Sequence, residues 1–387
     1  MALPRPRSSW RSRARRGPLA AAAVAALAAG CGAGSAPDPP GPTATATVTA
    51  RAEPTASRTA PPVPVLASVT FSAVGDLCFM DSGGGPLGDP ADLLAGVSDH
   101  LAARDIAFGN LETAVSDRGA PIAKMYTFGA PASAAVSLAE AGFDVVSLAN
   151  NHFGDYGPDA SADTVEAVAA AGLVGVGAGA NPAGPWSAKV VEVGAAGFAP
   201  ARIVFLAFTD VTPEAFPPPE APVGNAYTED LQVMVDAVAQ ARGLGDYLVV
   251  SMHWGVERQF EPSELQVAQA RALVEAGADV LLGHHPHVIE GVEFWGGALI
   301  VYSMGNFVFW PGSTAGRDTF VLDFTLTPDG ATDVAAYPAH ISGARPGFAE
   351  GGEFDRIAGL IADYSRRLGT VAEVAADSVR LAPGGPA

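Results

Sequence analysis

Three of the chain's seven histidines fall within Gly283-His284-His285-Pro286-His287-Val288, directly after the apolar run Ala278-Asp279-Val280-Leu281-Leu282. Neutral imidazole nitrogen is the commonest protein ligand for borderline transition metals, so closely spaced imidazoles at the end of a strand suggest a metal site. The His285-x-His287 spacing brings both rings to one locus only where the backbone turns sharply. Pro286 between them favours a fixed turn. The competing reading is a surface turn that happens to be rich in histidine, and the rest of the chain has to decide between them.

Other polar residues follow apolar runs in the same way. Asp76 follows Val69–Val74, and Asn110 and Glu112 follow Ile106–Phe108. Asn150, Asn151, His152 and Asp155 follow Asp144–Leu148, and His253 follows Tyr247–Ser251. Each has an ordinary explanation alone. Gly75-Asp76 is a common turn or cap, the asparagines suit turns, Glu112 suits a surface, and His253 beside Trp254 suits a packed core. Those explanations do not account for the shared position. In open α/β sheets ligands gather outside the carboxyl ends of the strands, where loops and helix N-termini are exposed, so the five strand ends converge on one crevice.

The elements that must position these residues are legible in the pattern. Ile203–Phe208, Val280–Leu282 and Leu299–Tyr302 add further strand-like runs, and Ala/Leu-rich stretches of helical period lie between the strands. Ser263 caps the clearest helix, Glu264 suits its first turn and Gly277 ends it. Strand and helix in alternation predict a mainly parallel sheet covered by helices. Tyr247–Ser251, the Ser263 helix and Val280–Leu282 form a βαβ unit that sets His253 and His285 near neighbouring strand ends. Thr319–Phe324 and Ala335–Tyr337 read as antiparallel strands, and Asp355–Leu368 as a closing helix.

Composition narrows the function. The chain has 387 residues and a formal charge of −19, and six of its arginines lie in the first sixteen residues, which contain no acid. Beyond them the surface is more acidic still, which disfavours nucleic acid and anionic lipid head groups as partners. Two cysteines, Cys31 and Cys78, exclude a disulfide framework. Leu19–Gly30 has the length of a signal h-region, too short to span a bilayer, and small residues precede Cys31. Residues 1–31 therefore resemble a bacterial lipoprotein signal with Cys31 as the lipidated residue. Residues 32–66 read as a disordered Pro/Thr/Ala-rich tether and 67–383 as one folded domain. These features predict an exported protein at the outer face of the cell membrane, attached through its N-terminal lipid only, or secreted.

Gly75-Asp76, Gly109-Asn110-Leu111-Glu112, Ala149-Asn150-Asn151-His152, His253-Trp254-Gly255, the histidine knot and Tyr302-Ser303-Met304-Gly305-Asn306-Phe307 look like successive motifs of the CapA family. These are poly-γ-glutamate capsule biosynthesis proteins related to calcineurin-like metallophosphoesterases. The resemblance implies a four-layer α/β/β/α sandwich holding two divalent ions, Mn, Fe or Zn. By similarity Asp76 and His287 bind one ion, Asn151, His253 and His285 the other, and Glu112 bridges them. His152 stands beside the leaving group as general acid or electrostatic stabiliser. Asn110, Asn150, Asp155 and Asn306 orient the ligands. His284 occupies a position that varies in the family and receives no role. The chain departs from the superfamily at Asp76-Leu77-Cys78, where Asp-x-His is usual, which leaves the first ion one ligand short. The implied function is metal-dependent hydrolysis or transfer on a phosphoester or an amide of an anionic polymer, in company with capsule synthesis and export proteins. The alternative is a non-catalytic binding or assembly component of a surface polymer machine.

Overall fold

Alternation of side chains along the strands sorts the core into three sets. On Tyr247–His253, Tyr247 and Val249 point one way, and Leu248, Val250 and Met252 the other. The first set packs against Phe71, Phe108 and Leu322 of a second sheet, and the other set against helices. Two sheets face to face, each covered by helices on its outer side, bury both faces of every central strand.

The computed structural model describes Leu66 and residues 68–385, apart from 81–83, 181–182, 195–196 and 213–220. One sheet runs Val371–Val374, Val379–Ala382, Gly330–Ser342, Asp318–Thr327, Val69–Leu77, Ile106–Leu111, Val145–Ser147, Val174–Val176. Its last four strands are mutually parallel, and Asp318–Thr327 pairs antiparallel to Val69–Leu77. The other sheet runs Val292–Trp295, Ala298–Val301, Val280–His284, Tyr247–His253, Ala201–Thr209, Lys189–Val193, with its four middle strands parallel. Pro90–Leu94, Ser133–Glu140 and Pro158–Ala170 cover the first sheet, and Leu231–Ala241 and Glu264–Glu275 the second. The architecture is a four-layer α/β/β/α sandwich.

The alternation of strand and helix had suggested one mainly parallel sheet. The strands are instead divided between two mixed sheets, because local periodicity carries no information on which strands pair. The predicted helix lies at Glu264–Glu275, with Ser263 and Gln266 forming a reciprocal capping box. The closing helix begins four residues earlier than expected, at Gly351, and ends at Arg367. Short edge strands such as Arg345–Phe348 and Val371–Val374 carried too few residues to show a period. The expected signal segment with Cys31 and, except for Leu66, the tether lie outside the described residues. Leu66 forms an isolated bridge with Ala199. Among the described residues no helix is long and apolar enough to cross a membrane.

Candidate metal centre

The site is built where parallel strands of both sheets end. Asp76 is in register with Asn110 on one neighbouring strand and with Asn306 on the other. The pairing shifts register on both sides at Asp76, an irregularity of the kind that re-aims a side chain. Gly75 makes the close approach possible, since a Cβ there would lie 1.9 Å from Gly305 O. Across the sandwich His253 ends its strand opposite His284. Gly283 plays the same part as Gly75, with Tyr302 O 2.0 Å from its missing Cβ. The sharp turn expected at the knot is made by the histidines themselves, with φ of +96° at His285 and +57° at His287. Such backbone costs of order 1–3 kcal/mol per residue and persists where the surroundings enforce it.

All the residues assigned from the resemblance to the family meet here. Asp76, Glu112 and His287 bring one ligand atom each within 4.8 Å of one another, and so do Glu112, His253 and His285. Glu112 belongs to both groups. The rings of His253 and His285 are 4.8 Å apart, and those of His285 and His287 5.8 Å. Asn151 Oδ1 lies 2.8 Å from His253 Nε2, within reach of the second group.

Hydrogen bonds around the ligands fix their orientation. Asn306 Nδ2 donates to His287 O and Gly316 O, so its Oδ1 faces His287 Nδ1 at 2.9 Å. That places the proton on Nδ1 and leaves Nε2 facing Glu112 Oε1 at 3.8 Å. Asn110 Nδ2 donates to Asp76 Oδ1 at 2.9 Å and lies 3.3 Å from His253 Nδ1, so one amide ties the two halves together. Asn150 Nδ2 bonds Asn110 Oδ1 and Leu111 O, while Asn150 Oδ1 accepts from the His152 N–H. His152 Nδ1 is 2.6 Å from Asp155 Oδ2, and its Nε2 is 3.9 Å from Glu112 Oε1.

The electrostatics of the bare protein are unbalanced. Burial works against the charge on Asp76, but the neighbouring imidazoles of His284 and His287 outweigh it and hold the carboxyl well below the usual range. Burial, and then the Asp76 charge, push Glu112 well above its ordinary value. Burial also opposes charge on His287, yet Glu112 and Asp76 raise it to about 9. Burial and then His287 lower His285 to about 3, and burial and then His285 lower His253 far below its ordinary value. His152 is lowered by burial despite Asp155.

Both oxygens of Glu112 and Nδ1 of His285 are buried and make no hydrogen bond. Buried carboxylates are otherwise paired, so this set lacks partners that the protein itself does not supply. Cations fit the gap. Carboxylate, imidazole and amide donors in these two groups suit Zn, Mn or Fe.

Cys78 is outside both groups. Its thiol is buried, donates to Met80 O at 3.4 Å and is pushed well above its ordinary pKa by burial, the surroundings of a small core residue. Arg258 borders the knot through its backbone N–H, which donates to Pro286 O, and its side chain is exposed. Three neighbours were not anticipated. Lys124, with a 4% exposed side chain, lies 2.6 Å from Asp155 Oδ1 and donates to Asn151 O. Phe128 stacks on His152 with ring centroids 3.9 Å apart. Asn225 Nδ2 donates to Asn150 O. A signal for Lys124 existed, because the chain has only two lysines, but the segment around it has no strand or helix period.

Comparison with known proteins agrees with the motifs. Residues 70–310 match the family described as "Bacterial capsule synthesis protein PGA_cap". The chain is similar to the capsule biosynthesis protein CapA of Bacillus anthracis, 35% identical over 215 residues, covering 54% of this chain and 51% of that protein. It is also similar to the PGA biosynthesis protein CapA of Bacillus subtilis, 34% identical over 209 residues, covering 54% of each. The match therefore spans about half the length of these relatives. Among solved structures it is similar to the calcineurin-like phosphoesterase YfkN of Bacillus subtilis, with TM-score 0.40 and 12% identity, covering 79% of this chain and 98% of that one. With its matching region extending over more than half of its length, the chain belongs to the PGA_cap family of bacterial capsule synthesis proteins.

Proposed function

We propose that this protein binds two divalent cations between the sheets and uses them in hydrolysis or transfer on an anionic polymer, in the synthesis or export of capsule poly-γ-glutamate. The observation that carries the reading is Glu112, a buried carboxylate with both oxygens unpaired and shared by two ligand groups. Asp76 and His287 would hold one cation, His253, His285 and Asn151 the other, with Glu112 between them. A cation pair in such a site polarises a phosphoryl or acyl oxygen and lowers the pKa of bound water.

The chain's own residues supply the remainder. Asp155 holds the Nδ1 proton of His152, and Lys124 with the Phe128 N–H holds Asp155. Burial keeps His152 neutral at neutral pH, so Nε2 presents a lone pair toward Glu112. There it takes up a proton and returns it to a leaving group. Stacking on Phe128 fixes the plane of the ring. Export, lipidation at Cys31 and a folded domain bounded near residues 67 and 383 belong to the same proposal. Incorporation of labelled palmitate into wild type but not into Cys31→Ser tests the anchor.

The deciding experiment combines metal analysis of the purified full chain with turnover on aryl phosphate esters and γ-glutamyl amides. About two Mn, Fe or Zn per chain and turnover that His287→Ala abolishes are expected. Full turnover in metal-stripped protein would sink the proposal. Polymer retention that outlasts loss of the ligands, with no turnover on either panel, favours the binding component instead.

A further inference from the structure

His284 enters neither ligand group, yet it is fully buried and faces a carboxylate. Its ring lies 6.1 Å from that of Phe108, in the core between the sheets. Nδ1 is 3.3 Å from Asp76 Oδ1, and neither ring nitrogen completes a hydrogen bond. An aliphatic side chain would occupy this space without burying two polar nitrogens, so packing alone does not explain an imidazole here.

Asp76 supplies the explanation. Its two oxygens have different surroundings. Oδ2 is 3.2 Å from His287 Nδ1 and 3.4 Å from the His285 N–H, on the side of the ligand group. Oδ1 receives the Asn110 amide at 2.9 Å and faces His284 on the other side. A carboxylate that binds a cation through one oxygen is held in position by donors on the other, and such donors strengthen metal binding from outside the ligand set.

We infer that His284 is a positioning residue for the Asp76 half of the centre. Its Nδ1, 3.3 Å away, presents its N–H to Asp76 Oδ1, keeps Oδ2 turned toward His287, and raises the affinity for one cation without touching it. This rests on the two-cation reading above. It also explains how a half-site without an imidazole at position 78 can hold its ion.

The test is a calorimetric Mn²⁺ titration of the chelator-stripped full chain as wild type, His284→Leu and His284→Asn. The asparagine amide keeps a donor near the position of Nδ1. Wild type is expected to bind two equivalents. His284→Leu should lose about 10–100-fold in affinity for one equivalent and keep the other, and His284→Asn should recover most of the loss. Stripped His284→Leu should melt no lower than stripped wild type, a result that a merely structural role would reverse. If the leucine variant does not fold, His284→Gln replaces it, because its amide reaches the Nε2 position and should fail where asparagine succeeds. Unchanged binding of both equivalents in His284→Leu, or equal loss in the leucine and asparagine variants, overturns this inference alone. Fewer than two equivalents in wild type overturns the two-cation reading and this inference with it.

Discussion

Two buried carboxylates of the same sheet layer, Asp323 and Glu112, meet opposite fates. Asp323 accepts from Ser72 Oγ at 2.5 Å and from Arg104 Nε at 3.0 Å, and His100 Nε2 lies 3.0 Å away. Burial works against its charge, but His100, Arg104 and Ser72 outweigh burial and hold it below the usual range. Glu112 is also buried, and its carboxylate has no hydrogen bond. Its charged neighbour Asp76 raises it further. The first cluster is complete without a ligand and works as a structural clamp between Ser98–Ala102, Val69–Leu77 and Asp318–Thr327. The second is arranged around something absent from the chain. Burial of polar groups therefore does not identify a functional site by itself. An unanswered hydrogen-bonding and charge requirement does.

The comparison breaks most decisively at Glu112. Glu112→Gln should reduce metal content from two ions to one or none, with affinity falling by more than about 100-fold, beyond what loss of an orienting group causes. The same variant should raise the melting temperature of the stripped protein, because it removes a charge that burial and Asp76 both oppose. Metal analysis and thermal unfolding of one preparation check both. A variant that keeps two ions would refute the bridging role.

Asp323→Asn should behave in the opposite sense. It leaves Arg104 without its counter-charge and should cost about 3 kcal/mol in denaturant unfolding, the lower end for a broken buried pair because Arg104 is partly exposed. Metal content should remain at two. Loss of metal in this variant would mean that the two regions are coupled.

A pH series sharpens the contrast further. The folded value of His287, about 9, lies above the unfolded value near 6.5, so its protonation stabilises the stripped fold. That contribution is complete below about pH 6.5 and is lost as pH rises through 9. The stripped protein should therefore melt progressively lower across this window. The metal-loaded protein should not, since a cation takes the place of the proton. Parallel melting curves for the two forms would argue against His287 as a ligand.

The smallest effect is expected at Cys78. Cys78→Ala removes one buried sulfur and should cost about 1 kcal/mol while leaving both ions bound. Loss of an ion would make the thiol a ligand.

Much of the site was readable because its members follow strands whose periodicity is strong. Asp76, His253 and His285 stand at the ends of runs such as Val69–Val74 and Tyr247–Ser251, and short-range order marked those ends. The assignment of ligands to two groups came from motif resemblance, and in space Glu112 falls in both groups of candidate ligand atoms. Lys124 and Phe128 were not readable, because they lie in a segment outside the periodic elements and meet His152 and Asp155 through a long-range contact. His284 received no role for a related reason. Its position in the knot is plain, but the carboxylate it faces is 208 positions earlier, and only strand pairing brings the two together.

By itself the sequence determined which residues lie at the carboxyl ends of the strands, because alternation and turn residues act over a few positions. It also determined the chemistry available there, three imidazoles, two carboxylates and an amide. The tertiary structure decided how the strands divide between two sheets, which polar atoms find partners and which remain without one. Those outcomes depend on pairing and packing between segments far apart in the chain. Asp323 lies within a strand and Glu112 directly after one, and neither local context shows how the charge will be met. Only the folded chain gives one of them its donors and withholds them from the other.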